Sequence, residues 1–326
     1  MSKTRRMQIL EGLDGLVRLP AGAVVSIGNF DGVHRGHLKI LEAAAALAEP
    51  EGRPLAVVTF EPHPLTVLRP EAAPRRLTSP KLKQELLERA GVDHLVVLPP
   101  AREVLDLSAE QFWEILRDRV RPAHLVEGSS FRFGKGAAGS IAKLRDWTSG
   151  SGIALHVVDS VTVPLLNLEI VPVSSSLIRW LLANGRARDA AICLGRAYAI
   201  EGKVVEGFRR GRELGIPTAN LKEDGQATPA DGVYAGRCEV DGRAYPAAIS
   251  IGTLPTFNER VRQIEAHLVG FEGDLYGRML RVELIDWLRE QRKYPSAEPM
   301  MRQIQVDIAE TVERARWDVA WAIAKE

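Results

Sequence analysis

The hydrophobic positions in the first half of the chain form short continuous runs that alternate with amphipathic stretches. The strand-length runs lie at residues 23–27, 55–60, 94–98, 124–126 and 154–158, and the helix-like stretches lie at residues 37–48, 81–90, 108–118 and 140–148. Strands that are apolar throughout are typical of a parallel sheet with helices on both faces. The pattern therefore predicts a doubly wound α/β domain, with its ligand crevice beyond the carboxyl ends of the strands.

The second half has a different pattern. After helical stretches at residues 174–183 and 187–194, short runs with rough apolar–polar alternation lie at residues 198–205, 233–240, 245–251, 261–268 and 279–288. Asp-Gly and Gly-rich turns separate them, which predicts a small antiparallel barrel or sandwich. An amphipathic helix over roughly residues 297–325 closes the chain. We place the domain boundary so that the first domain covers residues 1–186 and the second covers residues 187–326.

Composition narrows the function classes. A chain of 326 residues is longer than one core usually holds, which favours two domains. The net charge of +1 does not favour nucleic-acid binding. Two distant cysteines argue against a disulfide framework, and no apolar run reaches the ~20 residues of a membrane helix. The first residues lack the apolar core of a signal peptide. We expect a cytoplasmic protein that is a monomer or a transient homo-oligomer.

The first strand leads directly into the segment SIGNFDGVHRGH, residues 26–37. Gly28 and Gly32 allow a sharp turn and close approach to a ligand, and the helix that follows offers unpaired N–H groups to a phosphate. His34 and His37 share one helical face and can both donate hydrogen bonds to phosphate oxygens. The pair could instead hold a metal, although no third ligand stands nearby, or could be ordinary surface histidines.

Two other phosphate-binding patterns are weaker. No Walker A motif is present. A literal G-x-G-x-x-G occupies residues 134–139 and Asp159 follows twenty residues later, which would suggest a dinucleotide-dependent oxidoreductase. The preceding strand is predicted to end near Glu127, and the motif is not in the first strand–helix unit, so we do not favour this interpretation.

The segment GRELGIPTAN, residues 211–220, is the main candidate in the second half. It begins with Gly211, and Thr218 and Asn220 present oxygens two positions apart, so an extended backbone would point both the same way. Such oxygens could converge on a hard cation such as Mg²⁺. By themselves, these residues favour a polar turn leaving a strand.

The first-half motifs together resemble the adenylyltransferase half of prokaryotic bifunctional riboflavin kinase/FAD synthetases, within the nucleotidyltransferase superfamily. The segment at residues 26–37 carries its H-x-G-H signature, and TFEPHP (59–64), FRFG (131–134) and VSSSLIR (173–179) follow in the family's order. The resemblance implies a Rossmann-like domain that joins FMN to AMP. It assigns phosphate and leaving-group contacts to His34, His37 and Arg179, and further nucleotide contacts to Gly28, Asn29, Phe30, Gly36, Ser174 and Ser175. It assigns flavin contacts to Phe60, Pro62, His63, Ser130 and Phe131.

One residue departs from that family's pattern. Asp or Asn usually precedes F-x-F-G, whereas this chain has Ser130, whose hydroxyl is a shorter and weaker hydrogen-bonding group. This leaves open an alternative, in which the chain is a riboflavin kinase with an impaired adenylyltransferase domain.

The second-half motifs resemble riboflavin kinase. The segment at residues 211–220 fits the family's G-R-x-L-G-x-P-T-A-N, and DGVY (231–234), IGTLPTF (251–257), IEAH (264–267) and GDLYG (273–277) follow. The resemblance implies that Thr218 and Asn220 hold Mg²⁺ and ATP phosphate, with Gly211 also at the nucleotide. Glu265 is implied to be the base that accepts the proton of the ribityl hydroxyl. Asp274, Tyr276 and Arg289 are implied to border the flavin.

The two resemblances together predict an enzyme that makes FMN from riboflavin and ATP, and then FAD and pyrophosphate from FMN and ATP, with Mg²⁺ serving both steps. The expected partners are riboflavin, FMN, FAD and ATP, with neither nucleic acid nor membrane. A flavin-binding regulator or carrier without turnover is the alternative from a different class.

Overall fold

The computed structural model describes residues 6–207, 215–256 and 259–316. The chain divides into two compact units, one of Met1–Arg76 with Pro80–Thr162, and one of Leu77–Ser79 with Val163–Glu326. The domain boundary that the sequence places at residues 186/187 remains a prediction. Within the described ranges, no helix combines the length and the apolar character needed to cross a bilayer.

The first unit is built on a six-stranded parallel sheet with the strand order β1-β4-β3-β2-β5-β8. Its strands are β1 (Gln8–Glu11), β2 (Val24–Ile27), β3 (Leu55–Phe60), β4 (His94–Leu98), β5 (His124–Gly128) and β8 (Ala154–Val158). Two strands of two residues each, β6 (Arg132–Phe133) and β7 (Gly139–Ser140), form a small antiparallel hairpin. The sequence predicted every sheet strand except β1, which is short and lies at the edge.

Helices cover both faces of this sheet, so the doubly wound prediction is confirmed. They are α1 (Gly12–Val17), α2 (Arg35–Ala48), α3 (Leu65–Leu68), α4 (Pro80–Arg89), α5 (Arg102–Leu105), α6 (Ala109–Glu114) and α7 (Ile141–Thr148). Successive strand residues point to opposite faces, so β2 sends Val24 into one buried cluster, with α2 and α4, and Val25 into the other, with α1, α6 and α7. After α6 the chain continues as a single π-helical segment, Ile115–Val120.

The second unit contains a closed antiparallel barrel with the strand order β11-β12-β15-β14-β13-β16. Its strands are β11 (Tyr198–Val205), β12 (Ala219–Glu223), β13 (Gly232–Val240), β14 (Arg243–Thr256), β15 (Glu259–Leu268) and β16 (Met279–Arg289). Closure satisfies the backbone of every strand and leaves no open edge. The structure therefore selects the barrel over the sandwich that the sequence left open.

Three helices accompany the barrel: α8 (Ser175–Ala183), α9 (Ala187–Leu194) and α10 (Ala297–Arg314). A hairpin of β9 (Thr162–Pro164) and β10 (Ile170–Pro172) precedes α8. α9 ends at Gly195, whose positive φ of 77° gives the left-handed C-terminal cap that glycine adopts without strain. α9 packs against β16, where Arg188 pairs with Asp286 at 2.9 Å. The sequence predicted α10 to continue to residue 325, and residues 317–325 lie outside the described part.

Candidate active sites

The carboxyl ends of three neighbouring strands gather the residues predicted for the first site. β3, β2 and β5 are adjacent and parallel, so Phe60, Gly28 and Gly128 lie at one edge of the sheet. The loop after β2 carries the paired histidines, the loop after β3 carries Pro62 and His63, and the loop after β5 carries Ser130 and Phe131. One crevice edge thus collects three segments that are far apart in sequence.

The loop between β2 and α2 is held in a conformation that most residues avoid. Phe30, Gly32 and Val33 all have positive φ, at 45°, 84° and 38°. For Phe30 and Val33 this costs backbone energy that burial offsets, since both side chains are almost fully buried in the core. Positive φ in a phenylalanine and a valine is uncommon, and it clusters at functional sites.

The two histidines at the start of α2 lie against one another. The Nδ1 atom of His34 accepts a hydrogen bond from the backbone N–H of His37 at 3.3 Å, so His34 is the N-cap of α2. The two rings stack, with centroids 3.7 Å apart and planes 13° apart. Because Nδ1 of His34 is an acceptor here, the neutral ring carries its proton on Nε2 and can donate from that atom. The pair also lies at a helix N-terminus, which favours anions.

A hydrogen-bond network joins the loops after β2 and β3. The side-chain amide of Asn29 lies 3.1 Å from Nε2 of His63, and the Thr59 hydroxyl donates to the Asn29 carbonyl at 3.0 Å. The Nδ1 atom of His63 accepts from the Leu65 N–H at 3.1 Å. The Glu61–Pro62 peptide bond is cis. The structure therefore brings together Asn29 and His63, one predicted at the nucleotide and one at the flavin.

Aromatic side chains form an apolar surface beside this network. Phe60 and Phe131 are partly buried and pack against the same core cluster. Phe131 also stacks on Phe133, with centroids 5.5 Å apart and planes 14° apart. Ser130 is exposed next to Phe131. A flat, partly exposed aromatic surface suits stacking by a planar ring system.

The G-x-G-x-x-G segment at residues 134–139 does not join a strand to a helix in the way that a dinucleotide-binding loop does. It connects β6 to β7 within their hairpin, and Gly134 and Gly136 take positive φ of 72° and 64° to make the turn. Its glycines therefore serve a hairpin connection, in agreement with the sequence argument.

Ser174, Ser175 and Arg179 lie in the second unit, at and just after the start of α8. The Ser174 hydroxyl accepts from the Leu177 N–H at 3.2 Å and so caps the helix. Ser175 is the first residue of α8, and both it and Arg179 are half-buried. Ser174 is therefore the N-cap of α8, a role that is compatible with a phosphate contact.

The second site is assembled across strands. β12 pairs with β15 in antiparallel register, so Asn220 lies directly opposite Glu265, and β14 places Ser250 opposite Glu265 on the other side. The neighbours Ala219 and Ala266 are buried, and Asn220 and Glu265 are half-buried. Since side chains alternate along a strand, Asn220 and Glu265 share the outer face of the barrel wall, together with His267. His267 Nδ1 lies 2.8 Å from the carbonyl oxygen of Pro217.

Asn220 also lines a cavity of about 430 Å³, whereas its strand neighbour Glu265 does not. Four of the residues predicted to bind ligands in this region line the cavity, and these are Thr218, Asn220, Asp274 and Tyr276. Ala266 and Leu268 of β15 and Phe271 contribute apolar surface to the same cavity. The structure thus brings the predicted nucleotide residues and two of the predicted flavin residues to one cavity, of a size that fits a small-molecule ligand.

Gly207 lines the cavity, and because it has no side chain it leaves room for the Asn220 amide. A Cβ atom at this position would lie 2.2 Å from the side-chain nitrogen of Asn220 and 2.8 Å from its oxygen. Any other residue at 207 would therefore displace the Asn220 amide. Sequence reasoning missed this role, although a glycine four positions before the 211–220 segment was a visible signal.

Glu265 and Arg289, both predicted for this site, do not line that cavity. Arg289 is held by Asp307 of α10 through a forked pair, with Nε–Oδ1 at 3.0 Å and Nη2–Oδ2 at 2.7 Å. Asp307 is buried, and the pairing raises the pKa of the Arg289 guanidinium. The flavin contact predicted for Arg289 remains a prediction. Gly211 lies outside the described residues.

The protein-family models divide the chain in the same order as the motifs. The FAD synthetase family model matches residues 17–176, and the riboflavin kinase family model matches residues 194–315. The chain therefore carries both domains.

Curated relatives match almost the whole chain. A bifunctional riboflavin kinase/FMN adenylyltransferase from Pseudomonas fluorescens is 35% identical over 93% of this chain and 96% of its own length. The enzyme of the same name from Bacillus subtilis is 34% identical over 90% of this chain and 92% of its own length. Among solved structures, one described as a macrolide-efflux protein from Streptococcus pneumoniae shares 27% identity and a TM-score of 0.84, covering 94% of this chain and 98% of that chain.

Proposed function

The chain belongs to the family of bifunctional riboflavin kinase/FMN adenylyltransferases, and we propose that it makes FAD from riboflavin in two ATP-dependent steps. The barrel unit transfers the γ-phosphoryl group of ATP to the 5′-hydroxyl of riboflavin. The first unit supplies the paired histidines for the second step, in which the FMN phosphate attacks the α-phosphorus of ATP and pyrophosphate leaves. Riboflavin, FMN, FAD and ATP are then its substrates and products.

For adenylyl transfer, the residues of the first unit mainly position the reacting phosphates and stabilise their negative charge. The neutral His34 ring can donate from Nε2, and its partner His37 stacks on it at 3.7 Å between centroids. Placed beside the N-terminus of α2, they favour a phosphate and the negative charge that grows on the leaving group. Phe60 and Phe131 offer an apolar surface to the flavin ring. The roles assigned to Ser174, Ser175 and Arg179 at the nucleotide remain predictions.

For phosphoryl transfer, Glu265 takes the proton from the attacking hydroxyl. Its carboxylate lies opposite Asn220 in the strand register, so a base and an amide oxygen share one face of the barrel wall. A base on a rigid strand is held in position for the proton that it accepts, which is worth roughly 10²–10⁴ in rate. Asp274 and Tyr276, across the cavity, contribute to the ligand pocket.

The family uses ATP with a divalent cation, and we assign Mg²⁺. The residues fit such an ion, because Thr218 and Asn220 offer a hydroxyl and an amide oxygen to the same cavity, and oxygen ligands are those that Mg²⁺ prefers. When bound, the ion would neutralise charge on the phosphates of ATP. Thr218 and Asn220 would hold it together with ATP, with Asn220 in β12 and Thr218 directly before that strand.

The observation that carries the proposal is the register pairing of Glu265 with Asn220, a residue that lines the cavity, because it joins two motifs that are 45 positions apart into one candidate centre. The test uses two separate reactions, riboflavin with MgATP and FMN with MgATP. We expect FMN from the first and FAD with pyrophosphate from the second. FMN without FAD would favour the alternative of a kinase with an impaired adenylyltransferase, and Ser130→Asp would then show whether the serine is the cause.

We also propose that the enzyme acts in the cytoplasm as a monomer or a transient homo-oligomer. Both cysteines, Cys193 and Cys238, are buried free thiols, which suits a reducing compartment. Burial raises the pKa of Cys238 to about 11, so this thiol stays protonated and unreactive at neutral pH.

A further inference from the structure

A buried carboxyl group lies under the histidine loop, and the mechanism above does not use it. Glu127 is in β5, its side chain is 1% exposed, and its Oε1 atom accepts the backbone N–H of Ile27 at 2.8 Å. Within the described part of the chain, no cation forms an ion pair with it. Burying a carboxyl group without a cation costs folding free energy, so the contact that it makes has to explain its presence.

Glu127 lies where the backbone pairing of β2 with β5 ends. Their backbone register runs from Val24↔His124 to Val25↔Leu125 and goes no further, although β2 continues to pair with β3 as far as Ile27↔Val58. On the β3 side, the Gly28 N–H donates to the Val58 carbonyl at 2.9 Å. The Ile27 N–H faces the other side, where the backbone ladder has ended, and the Glu127 side chain supplies the acceptor.

This position is the reversal point of the sheet. In the order β1-β4-β3-β2-β5-β8, the chain builds outward from β2 in both directions, so the crevice opens between the ends of β2 and β5. The loop that carries His34 and His37 begins one residue after Ile27. The carboxyl group of Glu127 therefore holds Ile27, the last residue of β2 before that loop, from the β5 side.

We propose that Glu127 is a positioning residue for adenylyl transfer, which fixes the start of the histidine loop through the Ile27 N–H and does not touch the substrate. This inference rests on the proposed function of the first unit. It requires only an oxygen acceptor of the right reach at position 127, since either protonation state of the carboxyl can accept. Burial raises the pKa of Glu127 well above its usual value, and a glutamine at this position offers an oxygen acceptor at the same reach.

Three variants separate reach from chemistry: Glu127→Gln keeps an oxygen at the same reach, Glu127→Asp shortens the side chain by one methylene, and Glu127→Leu removes the acceptor. We measure kcat and the KM for ATP in FAD formation from FMN, with riboflavin phosphorylation and Tm on the same samples. We expect the Gln variant to stay within about threefold of wild type. We expect kcat to fall about tenfold or more in the Asp and Leu variants, because a shift of the loop by a fraction of an ångström misaligns both imidazoles. Riboflavin phosphorylation should be unchanged in all three.

The melting temperature separates a positioning role from a purely structural one. Leucine is a good core residue, so if Glu127 is a positioning residue, Glu127→Leu should keep or raise Tm while FAD formation falls. A fall in kcat that merely follows a fall in Tm would overturn the proposal, and so would wild-type kinetics in the Leu and Asp variants or a Gln variant as slow as the Leu variant. If the Leu variant does not fold, the Asp variant decides by the same criteria.

A readout independent of activity separates this inference from the proposed function. Hydrogen exchange at the Ile27 amide should be slow in the wild type and the Gln variant, and faster in the Asp and Leu variants. Equal protection in all four proteins would overturn the inference even if FAD forms. A wild type that makes no FAD would contradict the proposed adenylyl transfer. The exchange data alone would then confirm or refute the contact between Glu127 and the Ile27 N–H.

Discussion

The two candidate sites are built in opposite ways. In the first unit, functional residues follow the ends of adjacent parallel strands, so His34, His63 and Phe131 meet because β2, β3 and β5 end at one edge. In the barrel, Asn220 and Glu265 lie within strands and are neighbours because β12 and β15 pair in one register. A shift of one residue in that register would turn Asn220 to the other face, whereas the sheet edge would tolerate such a shift. The barrel site therefore depends more on strand pairing, and the sheet site depends more on loops.

The largest expected effect is in the barrel, at the base. Glu265→Gln keeps the size of the side chain and removes its ability to accept a proton, so riboflavin phosphorylation should fall by about 10²–10⁴. Initial rates of FMN formation measure this. FAD formation from added FMN serves as the internal control and should stay within about twofold of wild type. A loss of both reactions would contradict the separation of the two sites.

The second effect is in the histidine loop. His37→Ala should lower FAD formation from FMN by about 10²-fold, in line with the loss of one charge-stabilising donor. Phosphorylation of riboflavin should not change. His156→Asn, at a histidine outside the loop, is the matched control and should leave both rates near wild type. If His156→Asn were as slow as His37→Ala, the assignment of the loop histidines would be wrong.

The third prediction tests whether the close approach of Gly207 determines the position of the Asn220 amide in the barrel site. Gly207→Ala places a methyl group about 2.2 Å from the Asn220 amide, so the amide must move, and we expect riboflavin phosphorylation to fall about tenfold with a higher Mg²⁺ requirement. A double-mutant cycle with Asn220→Ala sharpens the test. With the amide already removed, Gly207→Ala should add little further loss. Fully additive losses would show that Gly207 acts by another route.

The fourth effect concerns stability. Asp307→Asn breaks the forked pair with Arg289 and leaves a partly buried guanidinium without its carboxylate, which should cost about 1–3 kcal/mol of unfolding free energy. Chemical denaturation measures this. Glu310→Gln, at an exposed position of the same helix, is the control and should cost less than about 1 kcal/mol. If Arg289 acts at the flavin as well, the KM for riboflavin should also rise.

The smallest effect is a pH dependence in the first unit. Burial raises the pKa of Glu127 above 4.5, so the folded chain keeps a proton that the unfolded chain has released. The contribution of protonated Glu127 to the unfolding free energy is complete below the pKa of the unfolded chain. It is lost as pH rises towards the pKa of the folded chain. The unfolding free energy of the wild type should therefore decline, relative to Glu127→Gln, as pH rises above about 4.5. Parallel curves for the two proteins would contradict the raised pKa.

The sequence predicted much of the first unit because its signals are local. Continuous apolar runs gave five of the six sheet strands, and the glycines and histidines directly after β2 marked the site by position. β1 was missed because four residues at an edge give too short a pattern. Glu127 was missed because an isolated acid inside an apolar run gives no sign of the strand separation that it bridges.

The barrel site was harder to derive from the residues alone. β12 is a strand of five residues that follows Pro217, in a segment whose glycines and proline indicate a loop, so its pairing with β15 was not predicted. Without that pairing, Glu265 is an ordinary half-exposed residue of an alternating strand. The role of Glu265 therefore came from family resemblance, and the register supplied its neighbour Asn220.

The most direct test of two independent sites is complementation between the two inactivating variants. Glu265→Gln and His37→Ala are each incubated with riboflavin and MgATP, alone and as a mixture, and riboflavin, FMN and FAD are followed over time. The account predicts little product from the first variant, FMN that is not converted further by the second, and FAD from the mixture. Failure of the mixture to form FAD, while added FMN is still converted by Glu265→Gln, would contradict the claim that the chain has two sites that work independently.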